Sequence, residues 1–290
     1  MSWDRDRVAG LGNTHDIMSE IKKHLITLSS DFGSGNIGCG AMEAIIFEIC
    51  PEAKVVHLCH TIRGFDIKEG ARMLEGVAKL PIGFHVGVVD PGVGTKRKGI
   101  AIQTKRGDFL IGPDNGLLRP AAEFLGGIIK AWELSNDQFH RKPVSPIFHG
   151  RDIFAPVAAY LAKGISPDEL GPKINSDGLI AAPYHEALWN GDQIEAEVIH
   201  INGNGSVFLN IKAEEFTKRA KQGDKIAFHL PPGTRYHTVN FQRTFGEVAK
   251  GEPVILKDDF GRIELAINQD NFALTFDIKR GQKLILKKEK

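Results

Sequence analysis

Two apolar runs with a helix-length segment between them set the architecture of the first half of this chain. Leu25-Ile26-Thr27-Leu28-Ser29-Ser30 reads as a strand, and Asp31-Phe32-Gly33-Ser34-Gly35-Asn36 as the polar, Gly-rich loop after it. Met42, Ile45, Ile46 and Ile49 then fall at helical spacing, and Val55-Val56 opens a second strand. Strands joined through a helix pair in parallel, with a right-handed crossover. An open α/β sheet is the result, and such sheets hold ligands beyond the carboxyl ends of their strands.

The pattern continues. From about Asp66 a helix is predicted, with Ile67, Ala71, Leu74 and Ala78 on one face. In FHVGVVDPGVGTKRKGIAIQ, residues 84–103, the run Val86-Gly87-Val88-Val89 stops at Asp90, and Pro91, Gly92 and Gly94 force a loop before Ile100 begins another strand. Asp90 is thereby placed at a strand's carboxyl end, and Arg97 can fold back across the loop. Either the two brace a turn, or a carboxylate and a guanidinium face one crevice. Phe109-Leu110-Ile111 runs into Gly112-Pro113-Asp114-Asn115-Gly116, a helix is predicted from Leu117 to Phe124, and Ile128 to Leu134 reads as a strand. The segment FHGRDIFAPVAAYLAKG sets His149 just before a helix, with Asp152 as N-cap and Gly164 as stop signal. Loops after three strands therefore carry Asp31, Asp90 and Asp114.

From near Pro172 the texture changes. Residues 173–190 are Pro/Gly-punctuated and read as a linker. Beyond them Ile194 to Ile201, Val207 to Ile211, Ile226 to Leu230, Val254 to Leu256, Ile263 to Ile267 and Leu284 to Leu286 are short strand-like runs, with one short helix from Glu214 to Ala220. The predicted fold is α/β: an N-terminal Rossmann-like, mostly parallel sheet with flanking helices over residues 24–172, and a smaller antiparallel β domain over residues 191–290. Residues 1–23 mix charges of both signs, lack the apolar stretch of a signal peptide, and read as an extension.

With 290 residues, about three quarters of the unfolded surface can be buried. A formal net charge of +1 argues against a broad basic face for nucleic acid. Lys287-Lys288-Glu289-Lys290 reads as a solvated end. Cys39, Cys50 and Cys59 are odd in number and without CxxC spacing, which fits a reducing cytoplasm, and no stretch reaches the length of a membrane span.

Asp31-Phe32-Gly33 and Asp259-Phe260-Gly261 match the kinase metal-binding triplet, but the accompanying kinase elements are missing and kinase chemistry is set aside. Asp31, after the first strand, either accepts a ribose diol or caps its own loop. His57-Leu58-Cys59-His60 has no second ligand cluster, so no metal is expected. His149 is either structural or the holder of a water or anion.

SSDFG at 29–33, VDPGVG at 89–94 with Arg97, GPDNG at 112–116 and FHGRDIFAPVAAYLA at 148–162 together resemble the S-adenosylmethionine (SAM) hydroxide adenosyltransferases, or SAM hydrolases. That family is similar to the fluorinases and chlorinases, which attack the same carbon with a halide. The resemblance implies hydrolysis of SAM to adenosine and L-methionine at ribose C5′, without metal or cofactor. It also implies a homotrimer whose sites lie between the N-domain of one subunit and the C-domain of the next. Asp90, Arg97 and His149 map onto the set associated with the water nucleophile, which the halogenases lack. Asp31 maps onto the ribose-binding aspartate, Phe65 onto an aromatic beside the substrate, Phe148 onto a residue near the reacting carbon, and Asn115 lies in a signature loop.

The C-terminal half departs from that pattern. Asn202-Gly203-Asn204-Gly205-Ser206 stands where the family carries Asp-x-Phe-Gly-Asn, so the acidic partner of the methionine ammonium becomes Asn202 and an adenine-contacting Asn becomes Ser206. The resemblance places adenine near Phe260 and Asn268. Two rival readings are a halide-dependent 5′-halo-5′-deoxyadenosine synthase and a SAM- or adenosine-binding protein without turnover.

Overall fold

The computed structural model describes residues 24–233 and 235–289, and the chain divides between Ala182 and Pro183 into two units. The expected extension, residues 1–23, lies outside the described residues.

In the first unit β1 (Leu25–Ser30) is buried from Ile26 onward, as its apolar run requires. It is followed by α1 (Ile37–Ile49), capped by the Asn36 side chain, and by β2 (Lys54–Cys59), which pairs with β1 in parallel. Then come α2 (Ile67–Leu74), capped by Asp66, and β3 (Phe84–Val88), which lies parallel to β1 on its other side. β4 (Gly99–Thr104), β5 (Phe109–Pro113), α3 (Arg119–Phe124), β6 (Ile128–Glu133), α4 (Ala155–Ala162) and β7 (Lys173–Ile174) complete the unit. The sheet order is β2-β1-β3-β5-β4-β6-β7.

Its parallel character is confined to β2, β1, β3 and β5, which corrects the mostly parallel expectation. β4 runs antiparallel to both β5 and β6, and β7 runs antiparallel to β6. The reason is local: only residues 105–108 join β4 to β5, and so short a connection makes a hairpin, whereas a parallel pair needs a long crossover. Met42 and Ile46 of α1 join Val157, Ala158 and Leu161 of α4 in one core with Val86 and Val88. Gly87 of β3 permits contact on the other face, where an added Cβ would meet Leu74 at 2.6 Å and Leu117 at 3.3 Å.

The second unit holds β8 (Leu188–Asn190), β9 (Gln193–Ile201), β10 (Val207–Lys212), α5 (Ala213–Thr217), β11 (Lys225–His229), β12 (His237–Phe241), β13 (Pro253–Lys257), β14 (Arg262–Ile267), α6 (Phe272–Thr275) and β15 (Lys283–Lys288). Its order is β10-β14-β13-β12-β11-β15-β9-β8, and a further β10–β9 pairing closes the first seven into a barrel. Closure removes exposed edges. All its pairings are antiparallel except β12 with β13.

Three local readings are corrected. Residues 173–190 are not a free linker: β7 adds to the first sheet and β8 to the second. Lys287 and Lys288 of the basic tail belong to the last strand, with Lys287 over the Tyr236 ring at 4.0 Å and Lys288 paired to Asp224 at 2.6 Å. Asp152 is no N-cap but lies fully buried within a π-helical turn, Gly150–Phe154, that leads into α4. No helix among the described residues is long and apolar enough to cross a membrane.

Candidate active site

The loop after β3 is shaped by glycine. Gly94 has φ +73°, and a Cβ there would sit 2.2 Å from the Pro146 carbonyl oxygen, so only glycine lets this loop close against residues 145–149. Arg97 then returns across it. Arg97 Nε donates to Asp90 Oδ1 at 3.0 Å, and Nη2 bonds both Asp90 Oδ2 and, at 3.0 Å, His149 Nδ1. The Arg97 and Asp90 side chains are 8% and 5% exposed. The two sequence alternatives therefore merge: the pair braces the turn and also presents a carboxylate beside an imidazole.

A guanidinium only donates, so His149 Nδ1 accepts and the ring carries its proton on Nε2. Burial, and then the Arg97 charge, lower the His149 pKa, with Asp90 and Asp152 opposing. The ring is neutral at neutral pH. His149 is held by the turn on its C-terminal side: Gly150 packs where a Cβ would meet Met42 Sδ at 3.2 Å and Val88 at 3.3 Å. Asp152 accepts the Ser145 N–H at 2.8 Å and two Arg151 bonds at 2.7 and 2.9 Å. Burial alone would raise the Asp152 pKa, but the Arg151 and Ser145 bonds outweigh it and the carboxylate stays charged.

Asp90 and His149 open onto a cavity of about 280 Å³ whose wall also includes Asp31, Phe32, Phe65 and Phe148. Arg97 does not line it; it is bonded to both and positions them. Asp31 Oδ2 accepts the Phe65 N–H at 2.8 Å, which leaves Oδ1 for a ligand. Phe65 has φ +65° and is 76% exposed, an uncommon backbone state for a bulky residue. The Phe148 ring meets Phe32 edge-on at 5.6 Å, with the Arg151 guanidinium 4.8 Å from its centroid. Asn115 is used by its own loop: its amide donates to the Val89 carbonyl at 2.8 Å and accepts the Leu117 N–H at 3.2 Å.

In the second unit Asn202, Ser206 and Asn268 line one cavity of about 670 Å³. Asn202 Oδ1 accepts the Asn204 and Ser206 N–H groups, and Asn268 Nδ2 donates to the Val248 carbonyl. Phe260 is not part of that wall. It stands 45% exposed in the β13–β14 turn, the whole of β14 separating it from Asn268, so the expected pairing of those two around adenine is not formed within the unit. Sequence reading missed Glu264, which is 7% exposed and lines the same cavity. Its signal was a carboxylate in a strand buried at every position, since burying a charge costs heavily unless it is matched.

A wider cleft of about 740 Å³ borders β2, lined in part by Glu43, His57 and His60, but it lacks the Asp–Arg–His set. His24, Cys50 and Glu52 form a possible metal cluster among the described residues. Burial and the neighbouring Glu52 push the Cys50 thiol up to about 11, which keeps the sulfur protonated.

The fold and site define a two-unit protein, a mixed α/β sheet and a β-barrel, with a neutral imidazole and an arginine-held carboxylate at the end of β3. Residues 26–171 match the SAM hydroxide adenosyltransferase N-terminal domain, and residues 196–285 match the corresponding C-terminal domain. The chain belongs to the SAM hydroxide adenosyltransferase family. It is 34% identical over 260 residues to an (R)-S-adenosyl-L-methionine hydrolase of Salinispora tropica, covering 89% of this chain and 96% of that one. A fluorinase of an Actinoplanes species is more distant, 25% identical over 288 residues and covering 89% and 95%. A crystal structure of an uncharacterized conserved protein from Thermotoga maritima superposes with a TM-score of 0.83 at 28% identity, covering 90% of this chain and 99% of that one.

Proposed function

We propose that this protein hydrolyses SAM to adenosine and L-methionine by direct attack of water on ribose C5′. The observation that carries the reading is the bonding of Asp90, Arg97 and His149 into one set at the wall of a cavity that also holds Asp31. In the reaction an O–C5′ bond forms and the C5′–S bond breaks, and the electron pair goes to sulfur, which leaves as the neutral thioether of methionine. So good a leaving group needs no metal, redox cofactor or general acid. The remaining tasks are to align a water behind C5′ and to take its proton.

The tautomer divides the labour. His149 Nδ1 is occupied by Arg97 and Nε2 carries the proton, so the ring donates to the water oxygen. Asp90, each of whose oxygens keeps a lone pair beyond the Arg97 bonds, accepts the water proton. Arg97 holds the two in register. Asp31 takes a ribose hydroxyl on Oδ1, and Phe65 and Phe148 flank the nucleoside. Asn202, Ser206, Asn268 and the carboxylate of Glu264 recognise the remaining polar groups of SAM, with Glu264 restoring an acidic partner that Asn202 lacks.

In this reading the working form is a homotrimer, each site shared by the N-terminal unit of one subunit and the C-terminal unit of the next, as the family resemblance implies. The free thiols of Cys39, Cys50 and Cys59 support a cytoplasmic location. Incubation with SAM in oxygen-18 water tests the proposal. Label in the adenosine 5′-hydroxyl is the expected result. A 5′-halo-5′-deoxyadenosine formed only with added halide, or SAM recovered intact from a tight complex, would each replace it with a rival.

A further inference from the structure

Outside the cavity, four side chains form a hydrogen-bonded file that ends beneath it. Glu43 Oε2 lies 3.0 Å from His57 Nε2, His57 Nδ1 lies 2.7 Å from His60 Nε2, and His60 Nδ1 lies 2.7 Å from Ser30 Oγ. Ser30 Oγ in turn accepts the Phe32 N–H at 3.3 Å. The file begins at Glu43 on α1, half in solvent, and ends at Ser30, which is fully buried.

With both rings neutral, one arrangement of protons satisfies every link. A carboxylate only accepts, so His57 carries its proton on Nε2 and offers Nδ1 as acceptor. His60 must then donate from Nε2 and accept at Nδ1. The Ser30 hydroxyl is thereby obliged to donate to His60, which leaves its lone pairs facing the Phe32 N–H. His60 is 8% exposed, and burial is the largest cause lowering its pKa, so the ring stays neutral.

The file grips the turn carrying Asp31 and Phe32. His60 holds that turn twice, because its own carbonyl accepts the Gly33 N–H at 2.6 Å. Phe32 meets Phe148 edge-on, and Asp31 lines the cavity. We propose that His60, its tautomer fixed by His57 and Glu43, is the positioning residue that sets the Asp31–Phe32 turn for substrate through the Ser30 hydroxyl. The proposal rests on the hydrolase reading only in assigning Asp31 to the substrate.

Two measurements test it. The first needs no substrate: nitrogen-15 NMR of the imidazoles in the intact protein at neutral pH is expected to find His57 and His60 both as Nε2–H tautomers. An Nδ1–H tautomer on either ring overturns the file. The second is steady-state kinetics with SAM. His60→Asn places an amide oxygen where Nδ1 stood and keeps an acceptor for Ser30, whereas His60→Gln does not. His60→Gln is expected to raise KM about tenfold, the scale of a buried group left without its partner. Its kcat stays within about threefold of the parent, and His60→Asn stays within about threefold in both constants. A fall in kcat at unchanged KM, or equal impairment of the two variants, overturns the positioning role. Absence of adenosine from the parent protein defeats the hydrolase reading in the control, while the NMR measurement still decides the file.

Discussion

Arg97→Met probes the site most directly, because one guanidinium holds both other members. The substitution removes the bidentate bond to Asp90 and the bond to His149 Nδ1 together. The Asp90 side chain is 5% exposed, so it is left as an uncompensated buried charge. Stripping one partner from a buried pair costs about 3–5 kcal/mol. At roughly 2–4 °C of Tm per kcal/mol for a domain of this size, the first unit should melt roughly 6–20 °C lower. Turnover falls as well: kcat drops about 100-fold or more as carboxylate and imidazole lose their register. KM changes by no more than about threefold, because Arg97 does not line the cavity. The pH profile carries the specific signature. A second proton on the ring would set Nδ1–H against the guanidinium and break the bond that orients it, and the Arg97 charge helps keep that proton off. Without Arg97, Asp90 stands alone beside the ring, the His149 pKa rises, and the acid limb of kcat moves to higher pH. Arg97→Lys keeps the charge but not the fork, so it should lose kcat with a smaller displacement of the limb. Initial rates of adenosine release, measured by chromatography from about pH 5 to about pH 9, decide it. An Arg97→Met limb that stays in place or moves to lower pH would refute the tautomer assignment.

Asp31→Asn keeps an oxygen for the Phe65 N–H but replaces the charged acceptor on the other side; KM for SAM should rise about 10- to 100-fold with kcat within about tenfold, and an unchanged KM would remove Asp31 from the substrate. The pKa values of His60, His85, His140, His149 and His237 are all lowered, with burial the largest cause in each. The unfolded chain therefore takes up protons near the ordinary value of about 6.5 while the fold resists, so stability falls as pH drops below about 6.5. Urea midpoints should be lower at about pH 5.5 than at about pH 7.5 with an unchanged m-value. The Asp108 pKa is also lowered: burial pushes it up, but the Arg106 and His85 bonds outweigh that, and this contribution is present above about pH 4 and lost below it. Asp108→Asn should shrink the second, more acidic loss, the rest of which belongs to other carboxylates with lowered pKa values such as Asp152.

How much was legible in the sequence depends on where the information lies. β1 and α1 were readable because apolar spacing there is set by burial, β2 was readable from Val55-Val56 although none of its residues is buried, and Asp90 was placed because Pro91 and Gly92 end β3 so abruptly. The insertion of β4 between β5 and β6 was not readable from strand order, and only the shortness of residues 105–108 betrays the hairpin. The contact of Arg97 with His149 spans 52 residues and is created by Gly94 closing on Pro146, a pairing no local pattern records. Asp152 was misread because Asp before an apolar run signals an N-cap, whereas here tertiary bonds to Arg151, Arg141 and Ser145 take it inside. The separation of Phe260 from Asn268 was likewise not legible: the Asp-Phe-Gly turn is visible, but the length of β14 that parts the two is a matter of tertiary structure.

The choice of water over halide also rests on the wall of the cavity. A halide accepts hydrogen bonds and cannot donate one, so it is best held by donors alone. This wall presents the carboxylates of Asp90 and Asp31 beside a single neutral imidazole. Two like charges about 4 Å apart repel by about 4 kcal/mol at an effective dielectric constant of about 20, and the single Arg97 charge stands against two carboxylates, Asp90 and Asp31. Water meets no such penalty. It gives a hydrogen bond to Asp90 and accepts one from His149 Nε2–H, which fixes its remaining lone pair for C5′. The same carboxylates favour the sulfonium of SAM before reaction and lose that attraction once sulfur is neutral, so the charge change favours substrate binding over product retention.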